Sequence, residues 1–121
     1  MKIYKDWLNS NGIRFTEDSD GNLLFTHQGG HFILTSNKND KQFMQIFMPN
    51  IYHVDSNEKA KAILLANKIN VDRKCVKAVF VQDEIWLSVE ILIDSTPDVG
   101  DFFDRLLTML HQGRMMFQSL I

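Results

Sequence analysis

Cysteine is almost absent from this sequence. Cys75 stands alone, so no internal disulfide can form and a reducing compartment fits best. There is no excess of basic charge: 13 Lys and Arg against 15 Asp and Glu leave a net charge of −2. A phosphate-backbone partner needs a concentrated basic face. Arg73 and Lys74, with Lys77 nearby, are too thin a cluster to make one, which argues against nucleic acid. No apolar run approaches the roughly 20 residues of a membrane span. The opening residues, Met1 to Asp6, lack the apolar stretch of a secretory signal. Cytoplasm is the expected location, with no membrane partner. Gly-rich phosphate loops, Ser-x-x-Lys and Gly-x-Ser-x-Gly are missing, which removes the usual local signatures of phosphoryl and acyl transfer. No linker, repeat or low-complexity stretch divides the chain. Its 121 residues read as a single domain over 1–121, large enough for one core without staples.

What is present is a sequence of well-marked elements. Ile3, Trp7 and Leu8 have helical spacing and Asn11-Gly12 is a natural stop, so a short amphipathic helix opens the chain. Ile13 to Thr16 reads as a strand, and Asp18-Ser19-Asp20-Gly21 as a turn. Residues 22–28 and 31–36 read as strands around Gly29-Gly30, a two-residue hairpin signal. With that loop Phe25 pairs with Leu34 and His27 with Phe32, and Leu23, Phe25, Phe32 and Leu34 share the more apolar face. A turn is expected over 37–40. Residues 42–48 then form a strand that is apolar on both sides, with Phe43 and Phe47 on one and Met44, Ile46 and Met48 on the other. Such a strand is covered twice or meets another chain.

Asp55 and Glu58 have capping-box spacing. The helix they open is alanine-rich and is expected to end near Ile69, at a corner made by Asn67 to Asn70. Two strands follow, 75–81 and 85–93, joined at Asp83-Glu84. Ile85, Leu87, Val89, Ile91 and Ile93 alternate and give the second strand one core face. Thr96-Pro97 reads as an N-cap with proline at the first helical position, opening a helix to about Phe117. The order α-β-β-β-β-α-β-β-α defines a two-layer α+β domain with an antiparallel meander sheet.

These features resemble the YbjN-like family, whose fold is that of the type III secretion chaperones, over nearly the whole chain. The similarity is carried by the opening helix ending Asn11-Gly12, by Asn22-Leu23-Leu24-Phe25 and by the strand exit Met48-Pro49-Asn50-Ile51. It continues through Leu64-Leu65-Ala66-Asn67-Lys68-Ile69-Asn70, Val76-Lys77-Ala78 and Leu87-Ser88-Val89-Glu90, and closes on Phe102-Phe103-Asp104-Arg105-Leu106. The resemblance implies a non-enzymatic, often dimeric protein that binds other proteins. Secretion chaperones hold partly extended segments of client proteins. No catalytic residue and no cofactor carry over, and nothing in the residues identifies a client.

The residues that could hold chemistry do not converge. In the expected register His27 and His31 fall on opposite faces of their hairpin, so they cannot share a metal ion. Asp18-x-Asp20-Gly21 matches part of a calcium loop, but Thr16 and His27 occupy the positions where carboxylates are required. Asp94, Asp98, Asp101 and Asp104 suit the positive end of a helix better than a catalytic pair. Asn67 and Asn70 read as helix-end residues, and Cys75, with no base at local spacing, as structural.

The last helix has an unusual surface. Phe102, Leu106, Met109, Gly113 and Met116 follow one face and Phe103, Leu107, Leu110 and Phe117 another, more than one amphipathic stripe requires. Either it is sandwiched between the sheet and the opening helix, or it is an interface. The surplus of apolar surface predicts a homodimer, with Met44, Ile46 and Met48 of the sheet or Phe103, Leu107 and Leu110 of the helix in the contact. The expected function is a non-enzymatic protein-binding module. The alternative is a small-ligand or regulatory sensor domain with a pocket between helix and sheet.

Overall fold

The computed structural model describes residues 1–36, 42–93 and 97–121. The expected turn over 37–40, and Asp94 and Thr96 at the expected helix start, lie outside the described residues. The elements run α1 (Lys2–Ser10), β1 (Phe15–Glu17), β2 (Leu23–His27), β3 (Gly30–Leu34), β4 (Phe43–His53), a 3-10 turn over Ser56–Glu58, α2 (Lys59–Asp72), β5 (Val76–Val81), β6 (Glu84–Leu92) and α3 (Val99–Leu120). This is the expected order. Six strands make one antiparallel sheet in the order β1-β2-β3-β4-β6-β5.

One row crosses five strands on the core side: Leu23, Leu34, Ile46, Val89 and Val76 stand opposite one another in turn. All are buried, and they form one cluster with the inward residues of the three helices. The fold is therefore two layers, with the helices gathered on one face of the sheet. Helix α3 packs against the sheet and has α1 and α2 as neighbours. Tyr4 and Trp7 of α1 lie against the Phe103 ring, with centroids 5.6 and 4.8 Å away. The closing helix is thus the sandwiched element.

Both hairpins turn one residue earlier than expected. The first turns at Gln28-Gly29, with φ of 50° and 78°, and pairs His27 with Gly30 and Phe25 with Phe32. Two successive positive φ values match the right-handed strand twist. Moving the turn by one residue shifts the pairing by two, so the same faces stay together: Leu23, Phe25, Phe32 and Leu34 are all buried. Gly30 serves packing instead. A Cβ there would lie 2.8 Å from both His111 Cε1 and Met48 Cε. The second hairpin turns at Gln82-Asp83, not Asp83-Glu84, again with both φ positive.

Two other boundaries move. Strand β4 does not exit at Met48-Pro49; it runs on to His53 past an irregularity between Met48 and Tyr52, where Asn50 has φ 51°. Helix α2 passes through Asn67 and Asn70 to Asp72. Asn70 is therefore no cap. Its side-chain amide donates to the Ala78 carbonyl at 3.1 Å and accepts from the Ala78 N–H at 2.6 Å. It completes the free edge of β5 as a neighbouring strand would. Helix α3 begins at Val99 after Asp98, two residues beyond Pro97. Cys75 is not core: it is exposed, with φ 67° just before β5.

Candidate functional site

Pleating places every second strand residue on the face away from the helices. One row there reads Thr16, Leu24, Ile33, Phe47, Ser88 and Lys77. Phe43 opposite Leu92 and Trp86 opposite Val79 extend it. Within the central strands the rings of Phe47 and Trp86 meet edge to face, centroids 5.6 Å apart. Trp86, Phe47, Ile33 and Val79 are only half buried, and Leu92 is 75% exposed. A polar border crosses three strands beside them: Gln45 donates to Glu90 at 2.7 Å, and Lys77 pairs with Glu90 at 2.9 Å. An aromatic centre with a hydrogen-bonded polar edge is the composition of a protein-recognition surface.

A second uncovered apolar strip lies on α2. Its fully buried residues are Ala62, Ala66 and Ile69, with Leu65 half-buried against the core. Opposite them Ile63, Leu64 and Val71 face outward, Leu64 69% and Val71 74% exposed. Ala60, Leu64, Asn67 and Val71 recur at helical spacing along that side. The small inward residues let the helix lie close to β5 and leave Ile63, Leu64 and Val71 without cover.

None of the six residues expected at an interface reaches either surface. Met44, Ile46, Met48, Phe103, Leu107 and Leu110 are each no more than 2% exposed, inside the core of one chain. The physical reason is specific to each element. Strand β4 is apolar on both sides, so alternation alone does not say which side faces the helices, and the outward set is Phe43 and Phe47. Helix α3 finds cover for both its stripes between the sheet and its flanking helices. The residues sequence reasoning passed over are Leu24, Ile33, Val79, Trp86, Ile63, Leu64 and Val71. A signal was available for α2, whose apolar residues spread round the whole helix although the chain has only one core for them.

A groove of about 750 Å³ lies beside the sheet face, lined by residues 11–16, the tip of the β2–β3 hairpin, Ile33 and Pro49. Its walls come from strands and loops, and no helix–sheet gap is involved. Among the described residues no three His, Cys, Asp or Glu side chains gather as metal ligands. His27 and His31 stand on opposite faces; His31 is opposite Thr26 and contacts its hydroxyl at 3.2 Å. The Asp18 carboxylate accepts from the Asn22 and Asp20 N–H groups and from the Asn22 amide. Those bonds, Asn22 first, hold its pKa below the usual carboxylate range and close the turn internally. Asp98, Asp101 and Asp104 are exposed along the start of α3. No described helix is long and apolar enough to cross a membrane.

A two-layer domain of this order, with helices on one face of a meander sheet, has the fold of YbjN and of the type III secretion chaperones. The chain is similar to YbjN from E. coli, a proposed transcription regulator, with a TM-score of 0.74 over 98% of this chain and 88% of that one, at 14% identity. It is also similar to a chain of the heterodimeric ExoU–SpcU complex from the type III secretion system of Pseudomonas aeruginosa, with a TM-score of 0.69 over 96% and 95% of the two chains, at 21% identity. A third likeness is to the structure of the Yersinia pestis secretion chaperone SycH in complex with a fragment of YscM2, with a TM-score of 0.67 over 99% and 98%, at 12% identity. No family model and no curated protein matches the sequence. At these identities the likeness establishes the fold. YbjN and SycH are named for regulation and chaperoning, not for catalysis.

Proposed function

We propose that this chain is a non-enzymatic protein-binding module of the cytoplasm, a single secretion-chaperone-like domain over 1–121 that works as a homodimer. The observation that carries this reading is the uncovered sheet face centred on Phe47 and Trp86. Antiparallel sheets can present one face to water, but that face is then mostly polar. Here it carries the rings of Phe43, Phe47 and Trp86 and several aliphatic side chains, and large aromatic residues are among those that dominate binding energy at protein contacts. The company of the fold supports the same reading, since SpcU and SycH are described in complexes with ExoU and a YscM2 fragment.

The two apolar surfaces suit different partners. The sheet face is broad, aromatic and bordered by charge, and takes the client. The α2 strip is narrow and aliphatic, and suits a second copy of the same helix across a two-fold axis. Trp86→Asp tests the first assignment. Affinity capture from the native cell extract, with mass-spectrometric identification, should recover a protein with the wild-type chain and lose it with the variant, while sedimentation equilibrium of the two remains the same. Equal recovery by both would remove the sheet face from the proposal.

A further inference from the structure

His111 is the one buried histidine among the described residues. It sits on α3 under the tip of the β2–β3 hairpin, and both its ring nitrogens are engaged. Nε2 lies 3.1 Å from the His27 carbonyl, and Nδ1 lies 3.2 Å from Arg114 Nη2. A carbonyl only accepts and a guanidinium only donates. The ring must therefore carry its proton on Nε2 and offer a bare Nδ1, which is the neutral form. Arg114 completes the attachment by donating from Nη1 to the Gly29 carbonyl at 3.1 Å. One turn of α3 thus holds the carbonyls on either side of Gln28. The Phe32 ring meets the imidazole edge to face at 5.3 Å, and Gly30 and Met48 close the space beside it.

We propose that His111 and Arg114 form a proton-operated latch, which fastens the β2–β3 hairpin tip to α3 at neutral pH and releases it when His111 takes up a second ring proton. That proton would occupy Nδ1 and turn its only acceptor toward a guanidinium that cannot accept. Two positive charges would then face each other. The groups around them are Arg114 from α3, the His27 imidazole from β2, the Gly29 carbonyl of the turn, Phe32 from β3 and Met48 from β4. Among the described residues no carboxylate bonds to His111 or Arg114, so nothing nearby compensates the new charge. Burial, with Arg114 second, already holds the His111 pKa below its ordinary value. Because the folded-state value is lowered, the stabilisation is fully present above the unfolded value of about 6.5 and is lost as pH falls toward the folded one. The hairpin tip is also a wall of the groove, through Phe25, His27, Gln28, His31 and Phe32. Acid would loosen that wall while β4, β5 and β6 stay paired.

Global stability cannot isolate this effect. His53 donates from Nδ1 to the Glu84 carboxylate at 2.9 Å, which raises its pKa, so its contribution has the opposite sign and is lost as pH rises. The test is local hydrogen exchange, read by NMR on the full chain. Protection factors of the His27, Gly30 and Phe32 amides, relative to those of β4 and β6, should fall by up to about tenfold per pH unit below about pH 6.5. In His111→Gln, whose amide can give and take the same two bonds without titrating, the ratio should stay constant. An equal fall in both proteins, or no fall in the wild type, would overturn the latch. If the variant does not fold, titration of the wild-type imidazoles decides. His111 must titrate below the ordinary histidine value of about 6.5 and hold its neutral proton on Nε2, and a value at or above it refutes the proposal.

Discussion

Helix α3 turns eight residues into the core, from Val99 to Phe117. Helix α2, beside it, fully buries only Ala62, Ala66 and Ile69, half-buries Leu65 and leaves Ile63, Leu64 and Val71 outside. Judged by apolar content alone, α3 is the better candidate for an interface, because it has two apolar stripes. Its place in the layer reverses that judgement. It lies on the sheet with α1 and α2 for neighbours, so each stripe meets something. Helix α2 lies over the edge strand β5, and its far side has no neighbour among the described residues. The lesson is that the width of an apolar stripe measures how much surface a helix needs covered, while its position decides whether the chain itself supplies the cover.

The same charge placed on each helix should have very different consequences. Leu107 on α3 is 1% exposed. Leu107→Asp removes a packed side chain and buries a carboxylate with no partner, at a combined cost of at least about 4 kcal/mol. That is a large share of the roughly 5–15 kcal/mol by which domains are stable. Urea unfolding should show a variant largely unfolded or with a sharply lower midpoint. A variant with wild-type stability would mean that α3 is not core.

A smaller perturbation asks how closely α3 approaches the sheet. A Cβ on Gly113 would stand 3.2 Å from Leu87 Cδ1 and 3.3 Å from Val76 Cγ1. The glycine therefore sets the spacing between the helix and the row of buried strand residues, despite its poor helix propensity. Gly113→Leu forces overpacking and should cost about 1–3 kcal/mol, measured by the shift of the thermal midpoint. No loss would mean that the helix can lift off the sheet freely.

The contrast also shows what was legible in the residues. The order of elements, the inward sets of β2 and β3 and the inward alternation of Ile85, Leu87 and Val89 followed from period and turn chemistry. The positions of the turns did not. Gly29-Gly30 draws attention to itself, yet the chain turns at Gln28-Gly29, because Gly30 is needed where His111 and Met48 leave no room for a Cβ. Met44, Ile46 and Met48 went to the wrong surface because β4 is apolar on both sides and only its neighbours decide its phase. Asn67 and Asn70 looked like a helix end. Asn70 instead bonds the backbone of Ala78, a long-range role that local spacing does not reveal. A surplus of apolar area was foreseen, but the residues that carry it were not.

Helix α2 has few buried residues and depends more on polar attachment, chiefly through Asn70. Asn70→Ala breaks two hydrogen bonds and frees the Ala78 backbone groups at the sheet edge. The expected loss is about 1–2 kcal/mol, and exchange of the Ala78 amide should accelerate more than that of amides in β4. If Asn70→Ala left both quantities unchanged, α2 would be held by its alanine packing alone.

The smallest expected change in stability belongs to the substitution with the largest expected effect on assembly. Leu64 is 69% exposed on α2. Leu64→Asp exposes no new core and buries no charge within the chain, so its effect on the stability of the isolated chain should lie within about 0.5 kcal/mol. If α2 pairs with its copy, the same carboxylate enters an apolar contact against its own symmetry mate. Every such contact occurs twice across a two-fold axis, so one substitution places two like charges in the interface. Sedimentation equilibrium at tens of micromolar should then show dimer for the wild type and monomer for Leu64→Asp, with unchanged far-ultraviolet circular dichroism. Trp86→Asp, on the sheet face, should remain dimeric. The reverse pattern would move self-association to the sheet and leave the α2 strip for the client. A monomeric wild type would remove the second copy from the proposal and leave both surfaces to other proteins.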